Sequence, residues 1–399
     1  MSVEHIAELE RAIVLEGSSV AVHHIDLCEL YRRQARLEDA LRHGLRGVVL
    51  APDNPDAHYN LGLVYTDRVE IDLAAAAMKR ALLLDPNKAT AHFELAELQL
   101  LAGQFEAGWR GYEWRWKLPG VKPLLPPGFE CVPLWNGQPM GDRPLLLIAD
   151  QGFGDTIQFA RYIPLVAARC PNLIVAGSSE IQPIVCQQPG ITHYFSHWGQ
   201  QPRFDEYCPL SSLPFVFGTN LSNIPARIPY IRANAQKAAY WRGRLNMLVP
   251  DGYRRIGLVW AGRPTHRNDF NRSIPLQTFA PLLKRAGIAF VALRMEGALA
   301  QIGSYFGRAP LFNFGAELAD FNDTMAVIDA LDHLITVDTS VAHLAGAMGK
   351  PASVLLSHAH DWRWLMNRID TPWYPTVKLV RQDSTGDWAS AMRKLNNTL

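Results

Sequence analysis

Residues 333–357 read HLITVDTSVAHLAGAMGKPASVLLS. The run HLITVD is apolar and too short for a helix, and it breaks at Asp338-Thr339-Ser340. A stretch of small residues follows, stops at Gly349-Lys350-Pro351, and gives way to a second apolar run. Short buried runs bounded by breakers read as strands. The stretch between them reads as the helix that crosses from one parallel strand to the next. A helix that opens on D-T-S turns unbonded N–H groups and the positive end of its dipole outward, an arrangement that favours a phosphate. The Thr339 and Ser340 hydroxyls add hydrogen-bonding groups beside Asp338. His343, one turn in, is by default a core or capping histidine.

The same alternation extends through the last two thirds of the chain. RPLLLIAD, NLIVAG and THYFS read as strands, then RRIGLVWAG, IAFVALR, HLITVD and PASVLLS, with amphipathic stretches between them. Two parallel, doubly wound halves result, 143–250 and 251–383, with ligands expected at the carboxyl ends of their strands. DWASAMRKLNN, within 384–399, predicts a terminal helix.

Three further strand ends carry polar groups. Asp150-Gln151-Gly152-Phe153-Gly154-Asp155-Thr156 lacks the third glycine of a dinucleotide fingerprint, since Ile157 stands there. Asp155-x-x-Gln158 matches a capping box with Asp155 as N-cap on a helix over 156–169. At the lip of a cleft the same carboxylate could take a proton from a bound hydroxyl. After Trp260-Ala261-Gly262, the segment from Arg263 to Arg272 holds Arg263, His266, Arg267 and Arg272, which reads as a solvated basic loop or as guanidinium forks and a Gly262 amide for a phosphate. His358 and His360 offer two metal ligands without a third nearby, and the Trp362-Arg363-Trp364 pattern is expected to pack on the cleft or on the repeats.

The first third has a period of 34. Leu27, Leu61 and Leu95 share it, as do Tyr31 and Tyr65, Ala40 and Ala74, and Pro52 and Pro86. Small residues let paired helices approach closely, and the prolines stop each pair. The spacing resembles that of tetratricopeptide (TPR) repeats and places a helical repeat domain at 1–118, with Trp109, Trp114 and Trp116 expected to pack on the chain beyond the repeats. Residues 119–142, rich in proline and glycine, predict a linker or wrapping arm.

Composition narrows the functional classes. The chain has 399 residues, with 39 Lys+Arg against 38 Asp+Glu, a net charge of +1. That balance argues against a nucleic-acid binder. No apolar run reaches the ~18 residues of a membrane span. The five scattered cysteines predict reduced thiols in a cytoplasm rather than a disulfide scaffold.

Taken together, DQGFGDTIQFARYIP, GLVWAGRPTHRNDFNRSIP, ITVDTSVAHLAGAMGKP and DWRWL…PWYPTVKLVRQ resemble the bacterial TPR-containing glycosyltransferases, whose catalytic part is similar to the heptosyltransferase-like family. The resemblance implies a GT-B fold of two Rossmann-like domains, the first on the acceptor side and the second binding the nucleotide sugar. It implies Asp155 as general base, and Arg272, Asp338, Thr339 and Ser340 at the donor phosphates, with His343 alongside and Gly262 in the same group. Gln151, Gly154, Arg263 and Met295 are expected to line the cleft. Ser340 departs from the glycine of heptosyltransferases, and Asp150 from the glutamate common in related TPR proteins. No D-x-D motif occurs in 143–399, so neither a metal nor another cofactor is expected. The reading is metal-independent, inverting transfer of a sugar from a nucleotide donor to a protein held by the repeats. An inactive TPR adaptor and an enzyme of lipopolysaccharide assembly are the alternatives.

Overall fold

The 34-residue period becomes a stack of helix pairs. The computed structural model describes residues 3–16, 20–225, 227–266, 268–293, 295, 297–305 and 307–399. Helix α1 (Val3–Glu16) precedes α2 (Ala21–Arg33) and α3 (Leu37–Leu50), α4 (Pro55–Asp67) and α5 (Ile71–Leu84), then α6 (Ala89–Leu101) and α7 (Phe105–Tyr112). The first helices of the three pairs thus start at residues 21, 55 and 89, one period apart. Helix α4 shows why the start falls where it does. Asn54 accepts from the Asp56 and Ala57 amides, and Pro55 occupies the first helical position, where no donor is needed. Ala40, Ala74 and Ala81 are fully buried where the helices meet.

The chain divides into two compact units, 1–122 with 359–366, and 123–358 with 367–399. The short segment in the first unit carries the aromatic-Arg pattern. Trp109 is buried and meets the Trp362 ring edge-on at 5.2 Å, and the Met366 amide donates to the Leu101 carbonyl at 3.2 Å. Of the three tryptophans at the end of the repeats, Trp109 thus packs on the later chain. Trp114 instead stacks on His92 at 3.7 Å under the Lys117 ammonium, and Trp116 lies against Arg115. His360 Nε2 bonds the Leu365 carbonyl at 2.9 Å, which gives it a structural partner inside this segment.

The second unit holds two all-parallel sheets. In the first, β1 (Leu145–Ile148), β2 (Leu173–Ala176), β3 (Ile191–Phe195) and β4 (Glu206–Pro209) run in the order β3-β2-β1-β4. In the second, β5 (Arg254–Val259), β6 (Ile288–Ala292), β7 (Leu311–Asn313), β8 (His333–Val337), β9 (Ala352–Leu356) and β10 (Val377–Arg381) run β10-β9-β8-β5-β6-β7. Both orders reverse beside their first strand, as in a doubly wound fold, and such switch points open a crevice at the strand ends. β4 ends on a proline. Pro209 closes an edge strand, where a missing donor costs little. The arm before β1 wraps this sheet, with the Trp135 amide donating to the Tyr207 carbonyl at 2.8 Å and Phe129 stacked on Phe204.

The connecting helices are α8 (Phe153–Phe159), α9 (Ile163–Ala167), α10 (Gln182–Val185), α11 (Leu213–Val216), α12 (Ala235–Leu248), α13 (Asp269–Arg272), α14 (Phe321–Asp329), α15 (Ser340–Ala347) and the terminal α16 (Trp388–Thr398). The expected single helix over 156–169 is corrected. A 3-10 turn at Ala160–Tyr162 splits it, and Pro164 sits in the first turn of α9, where it suits a new start. Between β5 and β6 the amphipathic stretch 274–287 forms only two 3-10 turns, Leu276–Phe279 and Leu282–Lys284, interrupted at Pro281.

Candidate functional site

The Asp150–Thr156 turn leaves β1 at the first switch point. The Asp150 carboxylate spans to the end of β4, where Oδ1 accepts the Ser211 amide at 3.0 Å and Oδ2 accepts the Ser211 hydroxyl. Helix α8 then begins earlier than expected, with Gly152 as its N-cap and no side-chain cap bond. Asp155 is therefore the third helical residue, which corrects its assignment as the cap. Gln158, its supposed partner in the box, is fully buried, and among the described residues neither end of its amide has a hydrogen-bond partner. The physical reason is the extended backbone of Gly152 (ψ 171°), whose carbonyl takes both the amide and the hydroxyl of Thr156. The Asp155 carboxylate instead folds back over Gly152, where a Cβ would lie 3.2 Å from its Oδ2. An anion in the first turn suits the helix dipole.

The second sheet supplies two turns side by side, after β5 and after β8. Arg272 joins them. Its Nη1 donates to the Asp338 carbonyl at 3.0 Å, and its Nε to Asp269 at 3.2 Å, the two side chains being 16% and 17% exposed. Both residues crowd Gly262, whose hypothetical Cβ would come within 2.6 Å of Arg272 and of Asp269. Gly262 thus lets the guanidinium reach the D-T-S turn. The Gly262 amide, expected to be open for a phosphate, donates to the Ser273 hydroxyl at 3.0 Å. That correction leaves the guanidinium and the start of α15 as groups suited to an anion. Thr339 is the N-cap of α15 in extended conformation, with its hydroxyl 3.3 Å from that of Thr336 rather than capping. The first N–H groups of α15, at Ser340 and Val341, have no acceptor within the helix by construction.

Helices α8 and α15 pack against each other. The contact is Gly154 on His343, where a Cβ at 154 would lie 2.9 Å from the imidazole Cδ2 and 3.4 Å from Nε2. His343 is buried, and its Nδ1 lies 2.9 Å from the Tyr374 hydroxyl. A second link across the crevice is Phe153, which sits under the Arg263 guanidinium at 5.8 Å and meets Phe321 edge-on at 5.3 Å. The turn bearing Asp155, the basic loop and the D-T-S turn are therefore neighbours. Gln151 is exposed on the first of these turns. Met295 is buried, with its sulfur 3.3 Å from the Trp260 amide, so it supports the end of β5 rather than lining an open cleft. Arg267 lies outside the described residues.

Sequence reasoning passed over Phe153, Phe321 and the cluster of buried Arg161 and Tyr374 with half-buried Tyr230. The signal available was a lone arginine inside the apolar stretch FARYIP, where a charge needs partners that only distant chain can bring.

No family model matches the chain. Protein FlbA of Caulobacter vibrioides is 25% identical over 396 residues, a match that covers 88% of this chain and 62% of FlbA. The chain spans less than two thirds of that relative's length. Among solved structures, the ADP-heptose lipopolysaccharide heptosyltransferase II of E. coli matches with a TM-score of 0.45 at 13% identity, over 64% of this chain and 98% of that one. A glycosyl transferase of family 9 from Veillonella parvula matches with a TM-score of 0.46 at 11% identity, over 66% and 91%. An O-GlcNAc transferase variant from Thermobaculum terrenum covers 86% of this chain and 83% of its own at 13% identity, with a TM-score of 0.26. At these identities and scores, none of them assigns a donor or an acceptor to this chain. No helix among the described residues is long and apolar enough to cross a membrane.

Proposed function

We propose that the protein is a glycosyltransferase that moves a sugar from a nucleotide-activated donor to an acceptor hydroxyl. The observation that carries the reading is the Arg272–Asp338 link. It sets a cation and the start of α15 at one switch point, a short step from the turn that bears Asp155. Glycosyl transfer needs those two things together, a base for the attacking hydroxyl and positive charge for the departing diphosphate. In this reading Asp155 removes the acceptor proton, while Arg272 and the first amides of α15 stabilise the leaving phosphate. Direct displacement from the opposite face inverts the anomeric centre, and no metal is required. Helix pairs of 34-residue period are read as TPR repeats that present the acceptor, a protein, to the site.

Calorimetric titration of the full chain with a panel of nucleoside diphosphates and their sugars tests the reading. One nucleotide should bind, and Arg272→Ala should weaken it by about 1.5–3 kcal/mol, the scale of a hydrogen bond to a charged group. Equal affinity in the variant, or binding of none of the panel, overturns the assignment.

A further inference from the structure

Arg161 is 4% exposed, and its bonds go to carbonyls and a hydroxyl. Nε donates to the Gln158 carbonyl at 2.8 Å and Nη1 to the Trp373 carbonyl at 3.0 Å, while Nη2 meets the Tyr230 hydroxyl at 3.3 Å. The rings of Tyr230, Trp373 and Tyr374 surround the guanidinium at 4.9–5.2 Å. Burial opposes the charge, yet the Tyr230 and Tyr374 oxygens hold Arg161 above the ordinary arginine value. Burial also drives Tyr374 far above the ordinary tyrosine range, so its hydroxyl keeps its proton.

The cluster ends at the candidate site. Tyr230 donates to the Ile157 carbonyl of α8 at 2.9 Å, and its own amide donates to the Ala347 carbonyl of α15 at 3.1 Å. Tyr374 is pressed against Gly346 of α15, and its hydroxyl engages His343 Nδ1. With Nδ1 engaged, the Cδ2–Nε2 edge of the imidazole is left facing Gly154, the residue before Asp155. We propose that Arg161 and Tyr374 are positioning residues. They hold His343 in one tautomer and one orientation, and the ring acts as a wedge that sets where the Gly152–Asp155 turn stands relative to the D-T-S turn. The proposal rests on the glycosyltransferase reading for its consequence in catalysis, but not for its geometry.

The test uses the full chain labelled uniformly with 15N, with the His343 ring assigned by loss of its signal in His343→Gln. In wild type the His343 ring should show a single tautomer. In Tyr374→Phe it should become a tautomer mixture, and the backbone amides of Gly152, Gly154 and Asp155 should shift. Turnover should then fall about tenfold or more while the donor KM stays within about twofold, the pattern of a misplaced group rather than a lost contact. If Tyr374→Phe does not fold, Arg161→Lys keeps the charge, loses the multiple carbonyl bonds, and should give the same three signatures. Unchanged His343 and turn signals in a folded variant overturn the proposal, and so does a moved ring with full turnover. If wild type transfers no sugar, the functional reading fails by itself, and the ring and amide signals still decide the positioning.

Discussion

Gly154→Ala measures the wedge directly. The added methyl would stand 2.9 Å from His343 Cδ2 and 3.4 Å from Nε2. Ordinary contact at Cδ2 needs about half an ångström more. The ring has little freedom to yield, because it is buried and its Nδ1 is engaged by Tyr374. Overpacking of this kind costs about 1–3 kcal/mol. Against it stands the gain of up to ~1 kcal/mol for replacing glycine by alanine within a helix, here the second residue of α8. The expected net cost is about 1–2 kcal/mol, a fall of several degrees in Tm at roughly 2–4 °C per kcal/mol. Scanning calorimetry of Gly154→Ala, His343→Ala and the double variant separates the terms. With the ring removed, the methyl should be neutral or stabilising, so the coupling should reach about 1–3 kcal/mol. A Gly154→Ala protein that melts at or above wild type would show that the ring gives way freely. A penalty of equal size in both backgrounds would place the clash elsewhere, and in either case the wedge would be wrong.

Other outcomes rest on the same geometry. Because Asp155 lies in the first turn and not at the cap, Asp155→Asn and Asp155→Ala should lose similar stability, about 0.3–1 kcal/mol each, readable in one melting series. Both should lose turnover by about 10²-fold or more if Asp155 is the base, and normal turnover in the Asn variant would remove it from that role. Asp269→Asn releases Arg272 from its ion pair and should tighten nucleotide binding by roughly 0.5–1 kcal/mol, whereas weaker binding in calorimetry would show that Asp269 orients the guanidinium. In the repeats, burial and the neighbouring His24 push His43 down to about 4. The unfolded side chain takes its proton near 6.5, so this contribution is present above that pH and is lost as the pH falls toward 4. Urea midpoints should decline across that window, less steeply in His43→Gln, and equal slopes would discount the residue.

Local repetition is legible in the chain alone. The helix pairs start at 21, 55 and 89 because apolar spacing and prolines specify a face and a stop within a single period. The strand–helix alternation, and the D-T-S turn at the head of α15, can be read for the same reason. Where a signal is short or shared, contacts with distant chain set the outcome. β4 forms only because β1 offers it an edge, and Gly152 rather than Asp155 caps α8 because the backbone at 152 is extended. The remaining facts join residues far apart in the chain. Arg161 meets Trp373 across 212 positions, and Arg272 meets Asp338 across 66. Trp109 meets Trp362, which places 359–366 with the helical unit. No spacing rule encodes such pairs, because periodicity reports which face of an element is buried and never what is buried against it.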